Sequence, residues 1–142
     1  MSELLVVGEE RLLPTRAYDN DAGFDLFCSD AATVPPHSFV DIPCGVRLAS
    51  TDPKHVLLIF PRSSTIRKYG LHVVASVIDP GYRGDYFAGV WNLTDKEVHV
   101  PAGTRLAQVV PVNAEAVGMT VRRVEQLDDT HRGTNGRGSS GY

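Results

Sequence analysis

The sequence predicts an all-β domain of the sandwich, barrel or jelly-roll kind, and three observations carry that prediction. Apolar residues fall in many short runs rich in β-branched and aromatic side chains. Gly, Pro, Asp and Asn separate those runs at close intervals, as turn residues do. Helical patterning is confined to one short stretch, Ser63 to Tyr69, closed by Gly70. A chain of 142 residues fits one compact domain with a core of its own.

In chain order, the strands are expected at Leu4–Val7, Phe24–Phe27, Phe39–Ile42, Val46–Leu48 and Val56–Phe60. After the short helix come His72–Val74, Tyr86–Trp91, Val98–Val100, Leu106–Val110 and Met119–Val124. An apolar strand also ends at Val77-Ile78, where Asp79 opens a Pro80-Gly81 turn. From Asp128 to Tyr142 the chain turns polar and rich in Gly and Ser, with no apolar face to bury. Residues 1–127 are therefore read as the β domain and 128–142 as a flexible arm, either a frayed end or a lid.

The formal charge of −3 argues against binding nucleic acid or an anionic membrane through an overall field. It leaves room for a local cluster of arginines. Cys28 and Cys44 are too far apart for a CxxC pair and read as reduced thiols near the core. The stretch MSELLVVGEERLLP has neither the basic nor the apolar region of a signal peptide, and no run is long enough to span a bilayer. A cytoplasmic protein is expected. His37, His55, His72, His99 and His131 show no metal-ligand spacing, HExxH and GxSxG are absent, and no GxGxxG follows a strand.

Five segments carry chemistry-bearing residues. In Ala22-Gly23-Phe24-Asp25-Leu26 an Asp sits among apolar strand residues, suited to a water-bound metal or to a backbone turn. In Pro61-Arg62-Ser63-Ser64, an Arg fork and two hydroxyls precede a helix start, where free N–H groups favour anions or simply cap. Asp79, with Tyr82-Arg83-Gly84-Asp85 after it, is a turn former or a catalytic carboxylate. Gln108 alternates with apolar neighbours in Arg105-Leu106-Ala107-Gln108 and either faces solvent or binds a ligand. Arg132-Gly133 and the glycine-rich run from Gly136 to Gly141 allow backbone N–H groups to approach an anion, without the Lys-Ser/Thr ending of a Walker A loop.

In this order and spacing, the five segments resemble the motifs of the trimeric dUTPase family. Thr15-Arg16 before Asp21-Ala22-Gly23-Phe24-Asp25-Leu26 is similar to the first, and Arg132-Gly133 with Gly136-x-Gly138-Ser139-Ser140-Gly141 to the fifth. The resemblance implies a distorted jelly roll, assembled as a homotrimer whose active sites are shared between subunits. It implies hydrolysis of dUTP to dUMP and pyrophosphate, with Asp79 activating a water that attacks the α-phosphate. Tyr82 would pack under the sugar and exclude a 2′-hydroxyl. The segment from His72 to Val77, written as a hairpin, would read uracil through its backbone, with Val74, Val77 and Ile78 against the nucleoside. Arg62, Ser63, Ser64 and Gln108 would grip phosphates, and Asp25 would place Mg²⁺ through water. The arm would close over the nucleotide with Arg132, Gly136, Arg137, Gly138, Ser139 and Ser140.

The sequence departs from the family pattern in four places. Arg137 stands where a stacking Phe is usual, and Ser76 where Gly is frequent. Thr65-Ile66 replaces Leu-Ala, and Asp85 replaces Glu or a neutral residue. A dCTP deaminase would share Arg62-Ser63-Ser64 and Ile78-Asp79-Pro80-Gly81, yet Phe87 to Asn92 lacks the Glu its chemistry needs. The other alternative is a trimeric nucleotide-sensing regulatory or interaction protein, which Arg137 keeps open.

Overall fold

A computed structural model of the chain describes residues 1–136, 138 and 141. Alternation of apolar and polar side chains decides how its strands pair. In the strand Phe87–Asn92, Ala88, Val90 and Asn92 are buried while Phe87 and Trp91 face outward. Numbered along the chain, the strands are β1 (Leu4–Gly8), β2 (Phe24–Phe27), β3 (Ala32–Val34), β4 (Phe39–Pro43), β5 (Val46–Ser50) and β6 (His55–Pro61). They continue as β7 (Leu71–Val73), β8 (Ser76–Ile78), β9 (Phe87–Asn92), β10 (Val98–Val100) and β11 (Arg105–Asn113). A 3₁₀ turn spans Glu10–Leu12, and the helix α1 spans Ser63–Tyr69. Gly70 ends α1 at a φ of 67°, in the left-handed region that glycine tolerates without strain.

All pairings are antiparallel. One sheet runs in the order β2-β11-β6-β8 and a second in the order β4-β9-β7. Two-stranded ribbons, β1-β5 and β3-β10, complete the described strands. Between the sheets lies the core, in which Leu26, Ile42, Ile59, Leu71, Val90 and Leu106 are at most 2% exposed. Each such side chain contributes about 1.5–3 kcal/mol by leaving water. Cys28 and Cys44 are buried and free, as their spacing suggested. Among the described residues, no helix is long and apolar enough to cross a membrane.

Two expectations are corrected. Met119–Val124 forms no strand; Met119 is 75% and Val121 98% exposed, and no described strand pairs with the segment. Its β-branched composition is a propensity without a ladder to satisfy the backbone. Nor is the segment from His72 to Val77 a hairpin. β7 pairs with β9 in one sheet, whereas β8 pairs with β6 in the other. The intervening Val74-Ala75 crosses between sheets, because Leu71 and Val73 are buried against the second sheet while Ile78 lies opposite Leu57 in the first. β3 and the 3₁₀ turn, unmarked in the sequence reading, complete the list of differences.

Asn92, fully buried, ties the end of β9 to its surroundings. Its amide donates to the carbonyls of Val34 (3.0 Å) and Lys96 (2.8 Å) and accepts from the Thr94 N–H and hydroxyl. Asn92→Ala orphans those buried groups and is expected to lower the unfolding free energy by about 2–4 kcal/mol, read by urea denaturation.

Candidate active site

β11 brings the first set of polar residues together. It lies between β2 and β6, with Gln108 opposite both Asp25 and Phe60. Directly opposed residues share a face, so Asp25 and Gln108 project to the same side. Arg62 follows β6 in extended conformation, just before α1. Its Nε lies 3.0 Å from one oxygen of Asp25, and Nε of Arg105 lies 3.2 Å from the other. Nη1 of Arg62 also donates to the Arg105 carbonyl (3.2 Å). The Thr65 hydroxyl donates to the Leu106 carbonyl (2.8 Å), pinning α1 to β11. The Gln108 amide donates to the Pro61 carbonyl (3.1 Å).

One carboxylate thus faces two guanidinium groups, and the balance is positive. Beside it opens a cavity of about 380 Å³ lined by Arg62, Ser64, Lys68, Thr104 and Arg105, among others. Ser63 and Ser64 are exposed in the first turn of α1. Cations, hydroxyls and a nearby amide in one concavity suit a polyanion such as a chain of phosphates. Gly23 makes room for this arrangement, since a Cβ there would come within 2.2 Å of the Gln108 side-chain oxygen.

The crossing of Val74-Ala75 between sheets generates the second concavity. Where β7 and β8 part, a cleft of about 250 Å³ is lined by Ile59, Val74, Ser76 and Ile78 on one side and by Phe39 and Gly89 on the other. Tyr82, Asp85, Tyr86, Phe87 and Asp41 also border it. The N–H of Val74 is committed to the Gly89 carbonyl (2.8 Å), which leaves its carbonyl for a ligand. Val77 is 67% exposed while Ser76 and Ile78 line the cleft, so alternation points the Val77 side chain away and leaves its backbone as the part a ligand meets.

Asp79 is exposed and directly follows Ile78, the last β8 residue lining the cleft. Its carbonyl accepts the Tyr82 N–H (3.1 Å), closing the Pro80-Gly81 turn and bringing the Tyr82 ring round to the wall. The Tyr82 hydroxyl donates to the Asp85 carbonyl (2.8 Å). Gly84 lies directly under that ring, and an added Cβ would sit 2.4 Å from the Tyr82 hydroxyl oxygen. A cleft whose lining mixes apolar side chains, aromatic rings and polar groups suits a nucleoside, which has an apolar ring face and polar edges.

The two concavities share no lining residue. Arg132 and Gly136, both exposed, are not brought to either; the Arg132 Nε donates to the Asn135 carbonyl (3.0 Å) within the arm. Gly138 has a φ of 77°, and its carbonyl accepts the Gly141 N–H (3.0 Å). Arg137, Ser139 and Ser140 lie outside the described residues. Among the described residues no group of three or more His, Cys, Asp and Glu could hold a metal. Asp25 is a lone carboxylate already bridged by two arginines, a donor set that fits a water-mediated contact to Mg²⁺ held mainly by phosphates, not a protein cage.

Sequence reading missed Lys68 in the cationic cavity and Phe39, Asp41 and Tyr86 in the cleft, and it gave no role to Thr104, Arg105 and Asp85, which lie within the segments it singled out. Lys68 was legible, for it lies on α1 four residues after Ser64 and so on the same face. Phe39 and Asp41 were not, because they arrive through the pairing of β4 with β9.

Known proteins resemble this chain in sequence and in fold. The dUTPase family model matches residues 9–141. The deoxyuridine 5′-triphosphate nucleotidohydrolase of Leifsonia xyli is 39% identical over 136 residues, covering 92% of this chain and 86% of the relative. In fold, the dUTPase of Staphylococcus bacteriophage 80alpha with dUPNHPP is similar at a TM-score of 0.87 and 24% identity, covering 99% of both chains. A mutant dUTPase of phage phi11 of S. aureus, in which a structural Mg(II) ion is coordinated, is similar at a TM-score of 0.72 and 21% identity, over 89% of this chain and 97% of that one.

The glycine beneath Tyr82 is testable by itself. Gly84→Ala is expected to cost about 1–3 kcal/mol of stability by overpacking and to shift the Tyr82 ring resonances. Gly81→Ala, where a Cβ meets nothing within 4 Å, is expected to do neither. Thermal unfolding and aromatic NMR read the difference.

Proposed function

The chain belongs to the dUTPase family, and on that premise we propose that it hydrolyses dUTP to dUMP and pyrophosphate using the cleft and the cationic cavity together. The observation that carries this reading is the cleft bordered by Tyr82 and Ile78, with Asp79 next in the chain, in a protein whose other concavity collects Arg62, Arg105 and Lys68. The cleft takes deoxyuridine, against Val74, Ile78 and the backbone of Val77. Tyr82 packs beneath the sugar and leaves no space for a 2′-hydroxyl.

Asp79 is the base. An exposed carboxylate orients a water in line with the α-phosphorus and takes its proton as the bond to the leaving pyrophosphate breaks. Arg62, Ser63, Ser64 and Gln108 hold the phosphates and stabilise the charge that develops on them. Asp25 would hold Mg²⁺ through water, and the ion would supply further neutralisation of phosphate charge. Asp25 also keeps Arg62 and Arg105 splayed toward the cavity, so the clamps are preset before substrate arrives.

The working unit is a homotrimer. What supports this is that one chain's cleft and cationic cavity share no lining residue, so a neighbouring copy can supply the complementary half. The arm of residues 128–142 closes over the nucleotide, with Arg132 and Ser139-Ser140 toward the terminal phosphate and Gly136, Arg137 and Gly138 across the base. A flat guanidinium at Arg137 stacks where a phenyl ring is usual. The protein acts on free nucleotide in the cytoplasm, without nucleic acid or membrane as partner.

Asp79→Asn is expected to lower turnover of dUTP by about 10³-fold or more while nucleotide affinity changes little, since shape survives and proton acceptance is lost. Pyrophosphate release beside equilibrium binding decides it, and unaltered turnover would remove Asp79 from its role. Removal of residues after His131 is expected to cut turnover far more than melting temperature. Mixing that truncation with Asp79→Asn is expected to restore part of the activity, which only a site shared between subunits allows.

A further inference from the structure

Tyr86 presents a feature that the reaction above leaves unused. The residue is 1% exposed, immediately before β9, and its hydroxyl is buried without a hydrogen-bond partner. It borders the nucleoside cleft, and its ring lies 6.0 Å from that of Tyr82, centroid to centroid, at 49°. Burial, with the neighbouring Tyr82 adding to it, pushes the Tyr86 phenol up to about 12, so it stays a neutral donor at physiological pH. A buried hydroxyl without a partner is costly where phenylalanine would fit, which calls for an explanation in function.

The neighbouring hydroxyl offers the missing acceptor. Tyr82 spends its single proton on the Asp85 carbonyl and keeps lone pairs free. Gly84 under the ring leaves the space that a Cβ would take from the Tyr82 hydroxyl. We propose that Tyr86 is a positioning residue for Tyr82: when a nucleoside fills the cleft, the Tyr86 hydroxyl donates to the Tyr82 phenolic oxygen and locks the ring that supports the sugar. The resulting chain, from Tyr86 through Tyr82 to the Asp85 carbonyl, has donors and acceptors in consistent order, and each bond polarises the next. This inference rests on the reading of the cleft as the deoxyribose site. It assigns Tyr86 a part in discrimination between deoxyribo- and ribonucleotides, because a ring held less firmly rejects a 2′-hydroxyl less well.

The test is a double-mutant cycle of Tyr82→Phe and Tyr86→Phe, assayed as pyrophosphate release from dUTP and UTP. Tyr86→Phe is nearly isosteric and is expected to fold with unchanged or higher melting temperature. It is expected to raise KM for dUTP by about threefold to tenfold with kcat within about twofold, the range one neutral hydrogen bond carries. The preference for dUTP over UTP is expected to fall, and in the Tyr82→Phe background Tyr86→Phe is expected to have no further effect. Equal kinetics for wild type and Tyr86→Phe, or additive effects in the double variant, would overturn the proposal. A wild-type protein without dUTP hydrolysis would instead overturn the reading on which it rests.

Discussion

The register of β11 between β2 and β6 is the constraint on which the cationic half of the site depends. Gln108 stands opposite Asp25 on one side and Phe60 on the other, and of the two arginines that bridge Asp25, Arg105 opens β11 and Arg62 directly follows β6. Because side chains alternate with a period of two, a slip of one residue would turn Gln108 into the core and Ala107 outward. The core forbids that slip: Leu106, Ala107 and Val109 are buried in the observed register. The irregularity between Arg105 and Ala107 lets two successive residues, Leu106 and Ala107, be buried while Arg105 stays outside to reach Asp25. Hydrophobic burial therefore fixes the positions of the polar groups.

The cleft has a different origin. It arises where consecutive strands separate into different sheets, and no side chain in that stretch announces the separation. Leu71 and Val73 are drawn to β9, Ile78 to β6, and the two residues between them span the gap. Backbone groups at such a crossing are not all used in ladders and remain available to a ligand. Tyr82 then enters from a tight turn, held by one backbone hydrogen bond and seated on a glycine.

The limits of sequence reading follow from these two origins. Short runs of β-branched and aromatic residues marked β1, β2 and β4 to β11, because each can be read locally. The end of α1 at Gly70 was legible for the same local reason. Met119–Val124 misled because propensity reports what a strand prefers and not whether a partner exists. The supposed hairpin at His72 to Val77 failed because pairing across sheets is a property of the whole core. Asp25, Arg62 and Gln108 could be singled out by type, but the ion pairs that join Asp25 to Arg62 and Arg105 are long-range and invisible until the strands align.

The two thiols carry a consequence for the setting in which such a protein works. Burial pushes Cys44 up to about 12 and raises Cys28 as well, so the reactive thiolate is scarce at neutral pH. Peroxides, electrophiles and glutathione find little to attack, and the sulfur atoms behave as compact apolar filler. Neither sulfur is poised as a nucleophile or a redox switch.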